Sequence, residues 1–89
     1  MIFEFKIYIK DKVLDNNYYK RRYAIDAQFN PITSIQSHII EIGKEQIKCS
    51  LITLYNGIKK IAVDQYPTFK KNYVEFLNDN LDKTIPSAN

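Results

Sequence analysis

The chain has 89 residues, 45% of them hydrophobic and 26% charged, with a net charge of +3. That is room for a single domain and lies well outside the disordered class; eleven lysines and two arginines against ten acidic residues are too balanced for a dedicated DNA-coating protein. One cysteine, Cys49, and one histidine, His38, exclude an intrachain disulfide and a zinc site of the usual Cys/His kind.

Residues 2–10 alternate. Phe3, Phe5, Ile7 and Ile9 fall on one side, and Glu4, Lys6, Tyr8 and Lys10 on the other, the period of a half-buried strand. Asp15-Asn16-Asn17 is turn chemistry. Alternation resumes from about Tyr18 to Phe29, with Tyr19, Tyr23, Ile25, Ala27 and Phe29 sharing a face and Arg21 among them near the strand's start. Two such strands joined by a short polar loop predict an antiparallel hairpin.

Asn30-Pro31 has the form of a helix start, asparagine capping and proline in the first turn. Ile32, Ile35, Ile39 and Ile42 recur at helical spacing and Gly43 follows as a C-terminal cap. The spacing predicts a helix over 32–42, although its β-branched residues favour the rival strand. Asn56-Gly57 then reads as a two-residue hairpin turn between Ile47–Tyr55 and Ile58–Val63. In that register Tyr55 faces Ile58, Thr53 faces Lys60, Leu51 faces Ala62 and Cys49 faces Asp64. Pro67-Thr68 opens a final amphipathic helix, with Phe69, Tyr73, Phe76, Leu77 and Leu81 as its apolar stripe.

The expected fold class is therefore α+β in the order β-β-α-β-β-α. It comprises a four-stranded, mainly antiparallel sheet with two helices packed on one face. Residues 1–83 make the domain and residues 84–89 a flexible tail. A chain this short buries roughly 60–65% of the surface its unfolded form exposes, so a homodimer is among the expected states. The N-terminal segment lacks a signal-peptide pattern and no stretch approaches the ~20 apolar residues of a membrane span. The expectation is a cytoplasmic protein without membrane association.

The chain's densest chemistry is Tyr18-Tyr19-Lys20-Arg21-Arg22-Tyr23. If the Phe3/Ile7 side of the first hairpin faces the core, then Lys6, Tyr8, Lys10, Tyr18, Lys20 and Arg22 share its outer side. Cations among aromatic rings can hold a phosphate backbone and stack bases. Tyrosine and arginine are equally the residues enriched in protein-interface hot spots. Lys59-Lys60 and Lys70-Lys71 are further basic pairs, the latter placed where a helix dipole disfavours cations.

Cys49, His38 and Asp64 are the one nucleophilic arrangement the sequence permits. No oxyanion-hole glycines accompany it, and Gly43 and Gly57 are too few for a phosphate-cradling loop. The expectation is accordingly not an enzyme, with no cofactor. It is a small binding protein that docks onto another protein, in the manner of an inhibitor, adaptor or antitoxin, of the kind phages and mobile elements carry. The alternative is a module for single-stranded nucleic acid.

Overall fold

The computed structural model describes residues 1–13 and 17–84. Asp15 and Asn16 of the expected turn, and the expected tail from residue 85 onward, lie outside the described residues. The elements are β1 (Ile2–Lys10), β2 (Tyr18–Asp26), β3 (Ile32–Ile42), β4 (Glu45–Leu54), β5 (Lys59–Ala62) and α1 (Tyr66–Thr84). They form one five-stranded sheet in the order β2-β1-β5-β4-β3, with every neighbouring pair antiparallel. The class remains α+β, but the four-stranded sheet with two helices is overturned: the described residues form five strands and one helix.

The difference is the segment 32–42, which is strand. Its isoleucines do not form a single stripe. Ile35 and Ile39 fall on the helix side, whereas Ile40 and Ile42, facing Ile47 and Glu45, fall on the outer side. A bulge between Ile32 and Ser34 re-phases the strand's first residue. Ile32 thereby packs against the core beside Ile35, and a plain period-two reading fails. Gly43, expected to cap a helix, instead opens the two-residue loop that joins Ile42 to its partner Glu45. Its φ of 62° is the left-handed conformation such a hairpin requires of its first loop residue. Asn30 caps no helix either; its Oδ1 accepts from the Asn56 N–H at 3.0 Å.

The Asn-Gly turn is present but one residue longer than expected. Leu54 N–H donates to Ile58 O at 2.9 Å and Gly57 N–H to Leu54 O at 2.8 Å, so the loop is Tyr55-Asn56-Gly57 and Gly57 sits at φ 89°. Asn56 Oδ1 accepts from the Ile58 N–H. This is the three-residue hairpin in which glycine makes a bulge at the end of the turn. The pairs become Ser50–Ala62, Leu51–Ile61, Ile52–Lys60 and Thr53–Lys59. A slip of one residue moves every side chain of β5 to the opposite face relative to β4.

Sheet register and loop length together dictate a strong twist. Asp26 faces Ile2, five residues to one side of Ile7. Through Ala62, Ser50 and Ser37 the same line continues to β3, where Ile32 lies five residues to the other side. In a flat sheet Asp26 and Ile32 would stand about 33 Å apart along the strands and about 19 Å across them. The segment 27–31 spans about 20 Å at full stretch, and it is not stretched, because Asn30 N–H returns to Asp26 O at 2.8 Å. Only strong right-handed twist brings these diagonal corners together. The same turn carries Phe29, expected on one strand face with Tyr23 and Ile25, out to 75% exposure.

The helix fills the hollow this twist creates. Phe3, Ile25, Ile52, Leu54, Phe69 and Tyr73 are central to the buried cluster. Phe3 is its hub: its ring centroid lies 4.9–5.9 Å from those of Phe76, Tyr73, Phe5 and Phe69, mostly in the tilted and edge-on arrangements aromatic quadrupoles favour. Tyr73 Oη accepts the Ile32 N–H at 3.0 Å, which ties the helix to the meeting corners. Pro67 lies in the helix's first turn, where no N–H is needed. Leu81, the last of the expected stripe, lies outside the described side chains.

Candidate functional site: the outer face of the β1–β2 hairpin

With Phe3, Phe5 and Ile7 turned toward the helix, the alternate residues of β1 and β2 point away from it. The register sets Lys6 opposite Arg22, Tyr8 opposite Lys20 and Lys10 opposite Tyr18. All six residues predicted for the site therefore stand on one face, as three facing pairs. Lys6, Lys10, Lys20 and Arg22 are exposed, and Tyr8 and Tyr18 half-buried.

The two tyrosines meet edge-on, their centroids 6.2 Å apart at an interplanar angle of 77°. Lys20 Nζ hangs over the Tyr8 ring, 5.9 Å from its centroid. Glu4 precedes Lys6 on the same face of β1, and a shallow recess of about 250 Å³ opens between Glu4, Phe5, Lys6 and Arg22. Among the described residues none of these four cations is ion-paired; the one salt bridge joins the Met1 amino group to Asp26 at 3.5 Å. Like charges set directly opposite on a sheet, as Lys6 and Arg22 are, cost stability.

The face extends across the sheet in a way the sequence did not disclose. Tyr8 faces Ile61, Ile61 faces Leu51 and Lys59 faces Thr53, so a half-buried apolar strip flanked by a fifth exposed cation, Lys59, continues from the hairpin. Further along, Cys49 and Ile40 are buried. Tyr8 feels this surface: burial pushes its phenol pKa up, helped by the neighbouring Cys49. The signal for these residues lay in the turn. Asn-Gly also serves the longer loop, and reading it as two residues put Ile61 beside Ile52 on the wrong face.

The other lysine pairs are not brought together. Lys60 points to the helix side, 5.1 Å from the Tyr23 ring centroid. Lys70 lies 5.7 Å from the Tyr66 ring centroid and donates to Tyr66 Oη.

His38 does face Cys49 across β3 and β4, but Asp64 does not. Asp64 lies beyond β5, where its backbone carbonyl accepts from Ser50 Oγ at 2.8 Å. Cys49 is 1% exposed, and burial raises its thiol pKa against a backbone hydrogen bond at Ile40 that lowers it. A protonated, enclosed thiol is a poor nucleophile. Among the described residues no three His, Cys, Asp or Glu side chains are grouped to hold a metal ion. No described helix is long and apolar enough to cross a membrane.

Comparison with family models, with curated proteins and with solved structures finds no match for this chain.

Proposed function

We propose that this is a non-catalytic docking protein whose outer hairpin face binds an acidic surface on a partner protein. The observation that carries this reading is the facing of Lys6 with Arg22, flanked by Lys10, Lys20 and Lys59. An arrangement that disfavours the free sheet is offset when opposite charge covers it. Tyr8, Ile61 and Leu51 supply the apolar centre that a protein interface needs inside a polar rim.

A single-stranded nucleic acid is the second reading, favoured by the same cations standing beside two aromatic rings. The ring geometry argues for the protein partner. Tyr8 and Tyr18 are half-buried, turned edge to face against each other, and Tyr8 is already shadowed by Lys20. They do not present the open, flat platforms on which bases stack.

The test pairs the wild-type chain with Lys20→Glu/Arg22→Glu. Both are offered a fluorescent single-stranded 20-mer and, separately, cross-linking capture of source-cell proteins. The expected outcome is a discrete acidic protein captured by the wild type and lost by the variant, with weak oligonucleotide binding. Saturable oligonucleotide binding that falls steeply with salt and disappears in the variant would establish the second reading instead. Partners retained undiminished by the charge-reversed chain would remove this face from the function.

A further inference from the structure

Among the described residues the sheet has two free edges, β2 and β3, and they are built differently. The β2 edge carries Lys20, Arg21 and Arg22 in its middle. A run of like charge opposes pairing with a second copy. The β3 edge has eleven residues, of which Glu41 is the only acid and none is lysine, arginine or proline. Its bulge lies at the very start, between Ile32 and Ser34, so Ser34–Ile42 runs regularly against β4. Among the described residues β3 is laddered to β4 alone. Ile39, at 52% exposure, stands on that edge.

The residue order along β3 is close to self-complementary about Ser37. In an antiparallel pairing of two copies with Ser37 facing its own equivalent, Ile35 faces Ile39 and Gln36 faces His38, each twice. Ser34 faces Ile40, also twice, and Glu41, the strand's only acid, lies beyond the regular stretch that pairs, so no like charges meet. Facing residues in an antiparallel pair lie on one side of the sheet. The exposed Ile39 of each copy would thus be covered by Ile35 of the other on the helix side, with two polar Gln–His pairs on the outer side.

We infer that two copies of this chain associate through β3, antiparallel about a two-fold axis at Ser37, joining their sheets into one. The contact is isologous and closes on itself, and its ladder bonds satisfy the backbone groups that one copy leaves to water. It uses the edge opposite the basic hairpin and stands whether or not the docking reading holds.

The decisive experiment exploits the axis. Only a residue on a two-fold faces itself, so Ser37→Lys places two lysines together and Ser37→Glu two carboxylates, while mixing them places opposite charges together. Sedimentation equilibrium of the full chain from about 1 to 200 µM should show a dimer for the wild type. Each single variant should bind itself about tenfold or more weakly, and the equimolar mixture should recover at least that factor. A wild type that is monomeric throughout overturns the inference. A dimer indifferent to both substitutions overturns it too, as do variants that dissociate without rescue on mixing. Circular dichroism establishes that each variant is folded. Should either unfold, wild-type hydrogen exchange at the two ends of the concentration range decides: protection of 34–40 must rise with concentration, and unchanged protection refutes the pairing.

Discussion

Phe69 and Tyr73 bind the helix to the sheet by different means. Phe69 is 1% exposed and meets Phe3 and Phe5 edge-on. Phe69→Ala should therefore cost about 3–5 kcal/mol in urea unfolding. Tyr73→Phe keeps the ring but leaves the Ile32 N–H without its acceptor, and should cost about 1–2 kcal/mol. The difference between the two separates packing from hydrogen bonding at one interface. Cys49 makes a prediction about pH. Its folded pKa lies above the ordinary 9.0, so the folded state holds the thiol proton more tightly than the unfolded chain. The stability this contributes is complete below pH 9.0 and is lost as pH rises through the folded value. Urea midpoints between neutral pH and pH above 9.0 should fall, and fall less in Cys49→Ala, leaving the parallel contribution of Tyr8. Alkylation of Cys49 at neutral pH should be slow until the chain is unfolded.

At the scale of elements, a single turn residue sets which face half the sheet presents. Gly57 has nothing within 4 Å of the position a Cβ would take, so Gly57→Ala tests conformation alone. At φ 89° the substitution should cost about 1–2 kcal/mol by urea unfolding. An unchanged midpoint would mean that the turn is not held in this form. The first hairpin was legible because nothing interrupts the alternation from Phe3 to Ile9 and only Arg21 interrupts it from Tyr19 to Ile25, and its outer six residues followed from that phase. The final helix was legible from Phe69, Tyr73, Phe76 and Leu77. The middle was not. Isoleucines at 32, 35, 39 and 42 satisfy a helical period by coincidence, because a bulge at one end and a second apolar face at the other place them on both sides of a strand. The register of β5 was equally hidden, since Asn-Gly fits two loop lengths, and the longer one is set by bonds such as that from Asn56 N–H to Asn30 Oδ1, which joins residues far apart in sequence.

At the scale of the molecule, the dimensions are 57 × 22 × 19 Å, with a radius of gyration of 15.0 Å against about 12 Å for a rounded domain of this length. Such a shape leaves much of the sheet without a second layer. Among the described residues the helix is the only element covering the hollow face, and the core cluster draws on β1, β2, β4, β5 and α1 together. Ending the chain at Pro67 should therefore abolish cooperative unfolding altogether rather than lower the midpoint, as near-ultraviolet circular dichroism would register. A truncated chain that still melted sharply would show that the sheet stands without its helix.

The seam between β1 and β5 carries a consequence for how the chain acquires this shape. Residues 1–26 close as one hairpin and 32–62 as a three-stranded meander, each by contacts between near neighbours in sequence. Ile7–Ala62 and Tyr8–Ile61, extended by Val63 N–H to Lys6 O, are the ladder contacts that join the two. They span more than fifty positions of chain. Loop-closure entropy makes such pairings slow. Both halves can thus assemble early, with the seam forming late and the helix arriving over it as a clamp. During synthesis the first hairpin emerges well before its neighbour strand exists, with the edge of β1 bare. Charged residues beside that bare edge oppose its pairing with the wrong chain.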